Sequence, residues 1–255
     1  MRRAAARRAR GLSSAADARV AFLNELHERI TRQDLRAMAE ALSLPPCADA
    51  VDEAVAARAE AALRGRGRAP VTVDASPLGG FGVFAARDLP RGTLVALYPG
   101  RVVGPGAMRR ATVNVRNALR AHAASLYDRV VRDGEAPALA DDWTNPYAMM
   151  AVDGHFYDPV GFPRCEGLGV GHRINHPPRD APATVLSWPS AVRDPALRRH
   201  LPNEAVGDDT GACLPMLTVA DVSAGDELFM DYRYELGLDA AERAALPAWY
   251  VPVGS

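Results

Sequence analysis

The chain has 255 residues, 48% of them hydrophobic and 24% charged, enough to bury one substantial core with a smaller appendage beside it. Its net charge of −1 leaves no overall basic surplus for a nucleic-acid partner, and no apolar run approaches the length of a membrane span, so a soluble protein with no membrane role is expected. Cys47, Cys165 and Cys213 are scattered and odd in number, which argues against a disulfide framework or a Cys-x-x-Cys zinc cluster and fits a reducing compartment.

The balance of charge is uneven along the chain. Residues 204–255 hold ten Asp or Glu and two Arg, a local −8 that leaves about +7 upstream. Such an acidic stretch either lines a cleft that attracts basic peptides or forms an ordinary solvated face. All thirty basic side chains are arginine, because the sequence contains no lysine.

Residues 1–13 read as a basic arm. The first 19 positions carry six Arg and one acid among Ala and Ser, the composition of a mitochondrial or plastid address or of a disordered tail that touches nucleic acid. Nuclear and cytoplasmic placements stay open beside those addresses. Residues 14–68 are expected to be helical. Ser14-x-x-Asp17 suits a helix cap, and Val20, Leu23, Leu26, Ile30, Leu35, Met38 and Leu42 recur near helical spacing until Pro45-Pro46 stops the run. A second helix is predicted over 48–63, closed by the Gly65-Arg-Gly-Arg68 linker. The pair either packs onto the main domain or precedes it.

From Val71 the texture is β, in short runs at 71–74, 82–85 and 93–98 separated by Gly and Pro. Residues 108–132 predict a helix with Val113, Leu119, Leu126 and Val130 partly on one face. Next, 147–152 and 155–157 flank Asp153-Gly154, a strong hairpin-turn signal. There is no internal repeat.

Four motifs carry the chemistry. Gly80-Phe81-Gly82-Val-Phe-Ala85 is a small-residue turn that lets backbone amides approach a ligand. It also fits the dinucleotide pattern Gly-x-Gly-x-x-Ala, but Pro90 and Gly92 follow too soon for the required helix and no βαβ unit surrounds it. The same segment runs on to Tyr98-Pro-Gly100, and the other three are Asp153-Gly-His-Phe-Tyr-Asp-Pro159, Gly169 to Pro178, and Ser223 to Tyr234. In that order these segments resemble the SET domain family: its opening Gly-x-Gly turn, its Tyr-x-Gly strand end, its Asn-His pair and its terminal Gly-Asp/Glu-Glu-Leu with Asp-Tyr. Within the family, YPGRVV, NPYAMMAVDG, VGHRINH, RRHLPNEAV and SAGDELFMDY resemble the group of SET domain-containing protein 9. The likeness runs from about Gly79 to Tyr234.

The resemblance implies a mainly β fold with α (α+β), of short β-sheets with a knot-like closure, spanning 71–236 and preceded by the N-terminal helical pair. Residues 237–255 are then a C-terminal tail in which Trp249 and Tyr250 close the lysine channel, in place of the cysteine-rich segment that many relatives carry. It implies S-adenosyl-L-methionine as cofactor, no metal, and a lysine-containing protein or basic peptide as substrate, methylated at the lysine side chain. A binding module of the same fold without turnover is the alternative, and a scaffold using the arginine arm on nucleic acid is a third reading. Gly80, Phe81, Gly82, Asn175 and His176 match the family's cofactor-binding positions, and the Asn175 amide can offer both a donor and an acceptor to the ligand's ammonium and carboxylate end. Tyr232 matches the catalytic tyrosine and Tyr98 a lysine-channel tyrosine, with Tyr234 on the same wall. Taken singly, each is as well read as a half-buried strand aromatic. Cys165, His172 and His176 are too loosely spaced, with no fourth donor, for a zinc site. The sequence departs from the family's run after Asn-His at Pro177-Pro178, with Ala183-Thr184-Val185 where Pro-Asn-Val would fall, and it has Met230 at a position often Phe or Tyr.

Overall fold

In the computed structural model, residues 22, 24–65, 69–104, 149–159, 167–206, 211–233 and 252–253 are described. The arginine arm, the predicted 108–132 helix, Cys165, Tyr234, Trp249 and Tyr250 lie outside the described residues.

Helix α1 covers 24–41 and α2 covers Ala48–Arg64, separated by Pro45-Pro46 as expected from the missing amide donors. On α2 the buried positions are Val51, Val55, Ala56, Ala59 and Leu63, an apolar stripe at helical period. They pack with Met38 and Ala39 of α1 against Leu94, Leu97, Trp188, Val192 and Leu217. The helices therefore share a core with the β body. Polar ties fix the contact: Trp188 Nε1 donates to Asp52 Oδ1 at 2.6 Å, and Arg58 Nε donates to the Gly92 carbonyl at 3.2 Å.

The β body is built of short pieces. Strands β1 (Val71–Ala75) and β2 (Phe81–Ala85) form an antiparallel hairpin. Strands β3 (Leu94–Leu97), β11 (Pro215–Thr218) and β7 (Val185–Ser187) form a second sheet in that order. A third runs β5 (Met149–Met150), β6 (Phe156–Asp158), β4 (Gly100–Val103) and β9 (Asn203–Val206), with β4 and β9 parallel. Strands β8 (Ser190–Ala191) and β10 (Ala212–Cys213) pair beside α3 (Pro195–Arg198), whose cap Asp194 accepts from the Ala196 amide at 2.9 Å. Strands and helices thus give the α+β class.

All four residues of β11 are buried, because both of its faces are covered. Leu217 joins the core under the helices. Met216 joins a second core of Val83, Val95, Tyr98, Tyr157, Ile174, Val185, Leu228 and Met230. Alternation along a strand sends neighbours to opposite faces, so one strand seats both cores. The Asp153-Gly154 signal yields a hairpin between β5 and β6 with a longer loop than two residues: Ala151 N donates to His155 O at 2.9 Å and Gly154 sits at φ +83°.

The end of the domain is threaded between earlier segments. Leu228 N donates to Val83 O at 2.8 Å, the Thr184 and Val185 amides donate to Phe229 O at 2.8 and 2.9 Å, and Met230 N donates to Asn175 O at 2.9 Å. Ala183-Thr184-Val185 thus closes this region despite the Pro177-Pro178 departure, with Pro177 buried.

Candidate functional site

Strand β2 is entered through Gly79 and Gly80, at φ +104° and +66°, where a side chain would meet nothing within 4 Å. Backbone conformation, and not crowding, calls for glycine there. Gly82 is the reverse case. A Cβ there would overlap the Glu227 carboxylate and lie 3.2 Å from Asn175 Nδ2, so a closely packed polar cluster occupies that side of the strand.

Asn175 holds that cluster together. Its Nδ2 donates to the Phe81 carbonyl at 3.1 Å and to Glu227 Oε1 at 2.7 Å. The other carboxylate oxygen accepts from Ser76 Oγ at 3.0 Å. With both amide protons engaged, Asn175 Oδ1 remains an acceptor beside a carboxylate and a carbonyl, a set that suits a cationic group such as an ammonium. Phe81 is 62% exposed, and the Arg173 guanidinium stands 5.5 Å above its ring, a cation–π contact at the edge of the cluster.

One residue before Asn175 a second half-site begins. The Tyr232 hydroxyl donates to the Ile174 carbonyl at 2.8 Å. The Tyr232 amide donates to His176 Nδ1 at 3.2 Å, and the two rings lie 5.5 Å apart. His176, placed by the sequence with the glycine turn, thus directs its buried ring at Tyr232. Because Nδ1 accepts, the neutral ring carries its proton on Nε2. Tyr98 is buried, with its ring edge-on to Tyr157 at 6.4 Å and 77°. Tyr98, Tyr232, Ile174, His172 and Met230 line one cavity of about 700 Å³, which residues of α1 complete. Val253, near the C-terminus, also lines it. Tyr234 lies outside the described residues.

Burial holds the His172 imidazole down from 6.5 to about 4, helped by the neighbouring Arg173 charge, so at neutral pH it brings no positive charge into the cavity. Burial likewise pushes the Cys213 thiol up to about 12, which leaves no thiolate for nucleophilic chemistry. Among the described residues, no group of three or more His, Cys, Asp or Glu is placed to hold a metal ion, and none of their helices is long and apolar enough to cross a membrane.

Sequence reasoning missed three participants. Glu227 stands inside the Gly-Asp-Glu-Leu motif, where a carboxylate in a largely buried β segment (Leu228 and Met230 are buried) was the available signal. His172 stands three positions before Asn175. Asp34 of α1 receives a two-pronged Arg233 fork at 2.8 and 2.6 Å, and nothing in the local sequence marks it.

A model of the SET domain family matches residues 80–233. Among solved structures, the SET8 protein of Cryptosporidium is 16% identical, over 68% of this chain and 61% of its own, with a TM-score of 0.40. The Chaetomium thermophilum polycomb repressive complex 2 is 19% identical over 66% of this chain and 16% of its own, with a TM-score of 0.37. The same complex in an autoinhibited conformation bound to S-adenosylmethionine gives 18%, 66%, 15% and 0.37. The chain therefore spans less than two thirds of each of these proteins' own lengths. No curated protein matches it.

Proposed function

The chain belongs to the SET domain family, and from that premise we propose that it is an S-adenosylmethionine-dependent methyltransferase acting on the ε-amine of a lysine in a protein or basic peptide. One observation carries the proposal: the consecutive residues Ile174 and Asn175 join two half-sites. Asn175 ties down the glycine turn and Glu227, while the Ile174 carbonyl holds the Tyr232 hydroxyl at the wall of a separate cavity.

The acceptor-rich cluster of Asn175 Oδ1, Glu227 and the Phe81 carbonyl suits the ammonium of the cofactor's amino-acid end, and the glycines keep side chains out of its way. Bound there, S-adenosylmethionine supplies a methyl group on a sulfonium, whose C–S bond breaks as the amine's N–C bond forms. The remaining task for the protein is to align the amine and to admit it neutral. A lysine near its ordinary pKa of about 10.4 costs roughly 4 to 5 kcal/mol to deprotonate at pH 7, and a mostly apolar cavity lowers that cost by disfavouring the charged form. The amine's proton leaves to solvent before transfer. Tyr232 gives its own proton to Ile174, so its oxygen can accept from an amine N–H, and Tyr98 lines the same cavity. His172, held neutral, adds no repulsion.

In this reading 71–236 is the catalytic domain, 14–68 buttresses it, 1–13 is an address or attraction segment and 237–255 covers the channel. Its subfamily is the group of SET domain-containing protein 9, resembled by the motifs at 98–103 and 223–232.

The test is incubation of the purified full chain with radiolabelled S-adenosylmethionine and a synthetic peptide pool bearing one central lysine, alongside calorimetry with the cofactor. Transfer to the peptide lysine supports the reading. Tight cofactor binding with no transfer to this pool or to a cell lysate would replace it with a binding module of the same fold.

A further inference from the structure

Helix α1 lies outside the segment matched by the family model, yet His27, Ile30, Gln33, Asp34 and Ala37 line the cavity that holds Tyr98 and Tyr232. Their spacing places them on one helical face. Thr31 and Leu35, from a neighbouring face, line a second hollow of about 620 Å³. The two halves of the helix are held differently. Met38 and Ala39 are sunk in the core, whereas the half before them lines the two hollows.

Asp34 stands where those halves meet. It is 3% exposed, and both of its oxygens accept from Arg233, at 2.8 and 2.6 Å. Such a bidentate pair, with Asp34 buried and Arg233 partly so, is rigid, and removing the arginine strands a buried charge. Arg233 directly follows Tyr232 and has a left-handed backbone, φ +53°, uncommon for a residue with a side chain. It is held there by two contacts with Asp231: its amide donates to Oδ1 at 3.0 Å, and its Nε stands 3.7 Å from Oδ2. Two carboxylates, from α1 and from the segment that carries Tyr232, thus hold one guanidinium at this wall.

We propose that the first half of α1 forms the acceptor-side wall of the channel and that Asp34, acting through Arg233, is a positioning residue that sets recognition of the methyl acceptor independently of the cofactor. The inference rests on the methyltransferase reading above. It assigns selectivity for residues flanking the target lysine to His27, Ile30 and Gln33, a mixed face of imidazole, aliphatic and amide groups.

The test uses the full chain and three proteins: wild type, Asp34→Asn, and the exchange Asp34→Arg with Arg233→Asp. The exchange rebuilds the pair with its signs reversed, and aspartate is among the residues that tolerate left-handed backbone. Amide hydrogen exchange over 24–41, calorimetry with S-adenosylmethionine and methylation of the single-lysine peptide pool are measured on each. Asp34→Asn is expected to speed exchange over 24–34 and to raise the apparent acceptor KM by about tenfold with a smaller change in kcat, while cofactor affinity stays within about twofold, which also certifies the fold. The exchange variant should recover both losses at least in part. If Asp34→Asn matches wild type in exchange and in KM, or weakens cofactor binding as much as acceptor binding, the proposal is wrong although the enzyme is active. If wild type itself transfers nothing, the methyltransferase reading falls first and takes the proposal with it.

Discussion

Tyr232 gives its hydroxyl proton to the carbonyl of Ile174 at 2.8 Å, and the side chain of the next residue, Asn175, is bonded to the strand that carries the glycine turn. A single peptide unit therefore spans from the acceptor side of the site to the cofactor side. The two halves are thereby held at a fixed separation, which suits a displacement that requires two reactants in line.

Tyr232→Phe separates the two halves. It removes the hydroxyl but keeps the ring against His176, so cofactor affinity should stay unchanged while turnover falls by roughly 10² or more, the usual consequence of losing a positioned polar group in the transition state. Single-turnover kinetics with matched calorimetry checks both. Full activity in this variant would remove Tyr232 from the mechanism.

On the cofactor side, Asn175→Ala and Glu227→Gln are each expected to weaken S-adenosylmethionine binding by about 1 to 3 kcal/mol, because each removes a partner from a hydrogen-bonded cluster. The two side chains touch at 2.7 Å, so the double variant should lose less than the sum, with a coupling of about 0.5 to 3 kcal/mol. Gly82→Ala reaches the same cluster by steric overlap with Glu227 and should damage binding with no polar group removed. Additive losses in the double variant would mean that Asn175 and Glu227 act separately.

What the sequence made readable here was local. The 153–154 turn, the glycines at 80 and 82, and the strand runs at 71–74, 82–85 and 93–98 follow from backbone chemistry and period within a few residues. The approach of Asn175 to the glycine turn was readable only through motif order. Pairings set by topology were not. The Arg233 fork joins positions 199 apart in the sequence, and β4 finds its parallel partner β9 across the whole middle of the chain. His176 shows the finer limit, because the family likeness assigns its backbone to the cofactor and says nothing of its ring, which accepts the Tyr232 amide. Which way a side chain turns depends on packing that the motif does not encode.

His172 makes the domain's stability depend on pH. Its folded-state value is depressed to about 4 from 6.5, by burial first and by Arg173 second. The unfolded chain therefore binds a proton more readily than the folded one between those values. This contribution is fully present above pH 6.5 and is lost as the pH falls toward 4. The whole shift would correspond to about 3 kcal/mol, and partial solvent exposure reduces the expected effect to about 1 to 2 kcal/mol. Denaturant unfolding from pH 7 to 4 should show the decline, and His172→Gln should flatten it. An equal slope in both proteins would mean that other groups govern the acid limb.

The absence of lysine from all 255 positions provides a chemical control within the protein. If transfer is confined to lysine side chains, radiolabel from S-adenosylmethionine should appear on the acceptor peptide and none on the side chains of the enzyme, however long the incubation. Replacing the acceptor's lysine with arginine should abolish the signal, because a guanidinium does not give up its proton near neutral pH and so offers no free lone pair to attack the sulfonium carbon. Label recovered on the enzyme's own arginine or histidine residues would contradict lysine specificity even if the peptide were also methylated. Mass spectrometry of both species after one reaction distinguishes these outcomes. The same spectra count the methyl groups added per lysine, which bears on Met230, buried in the cavity wall at the position two before Tyr232.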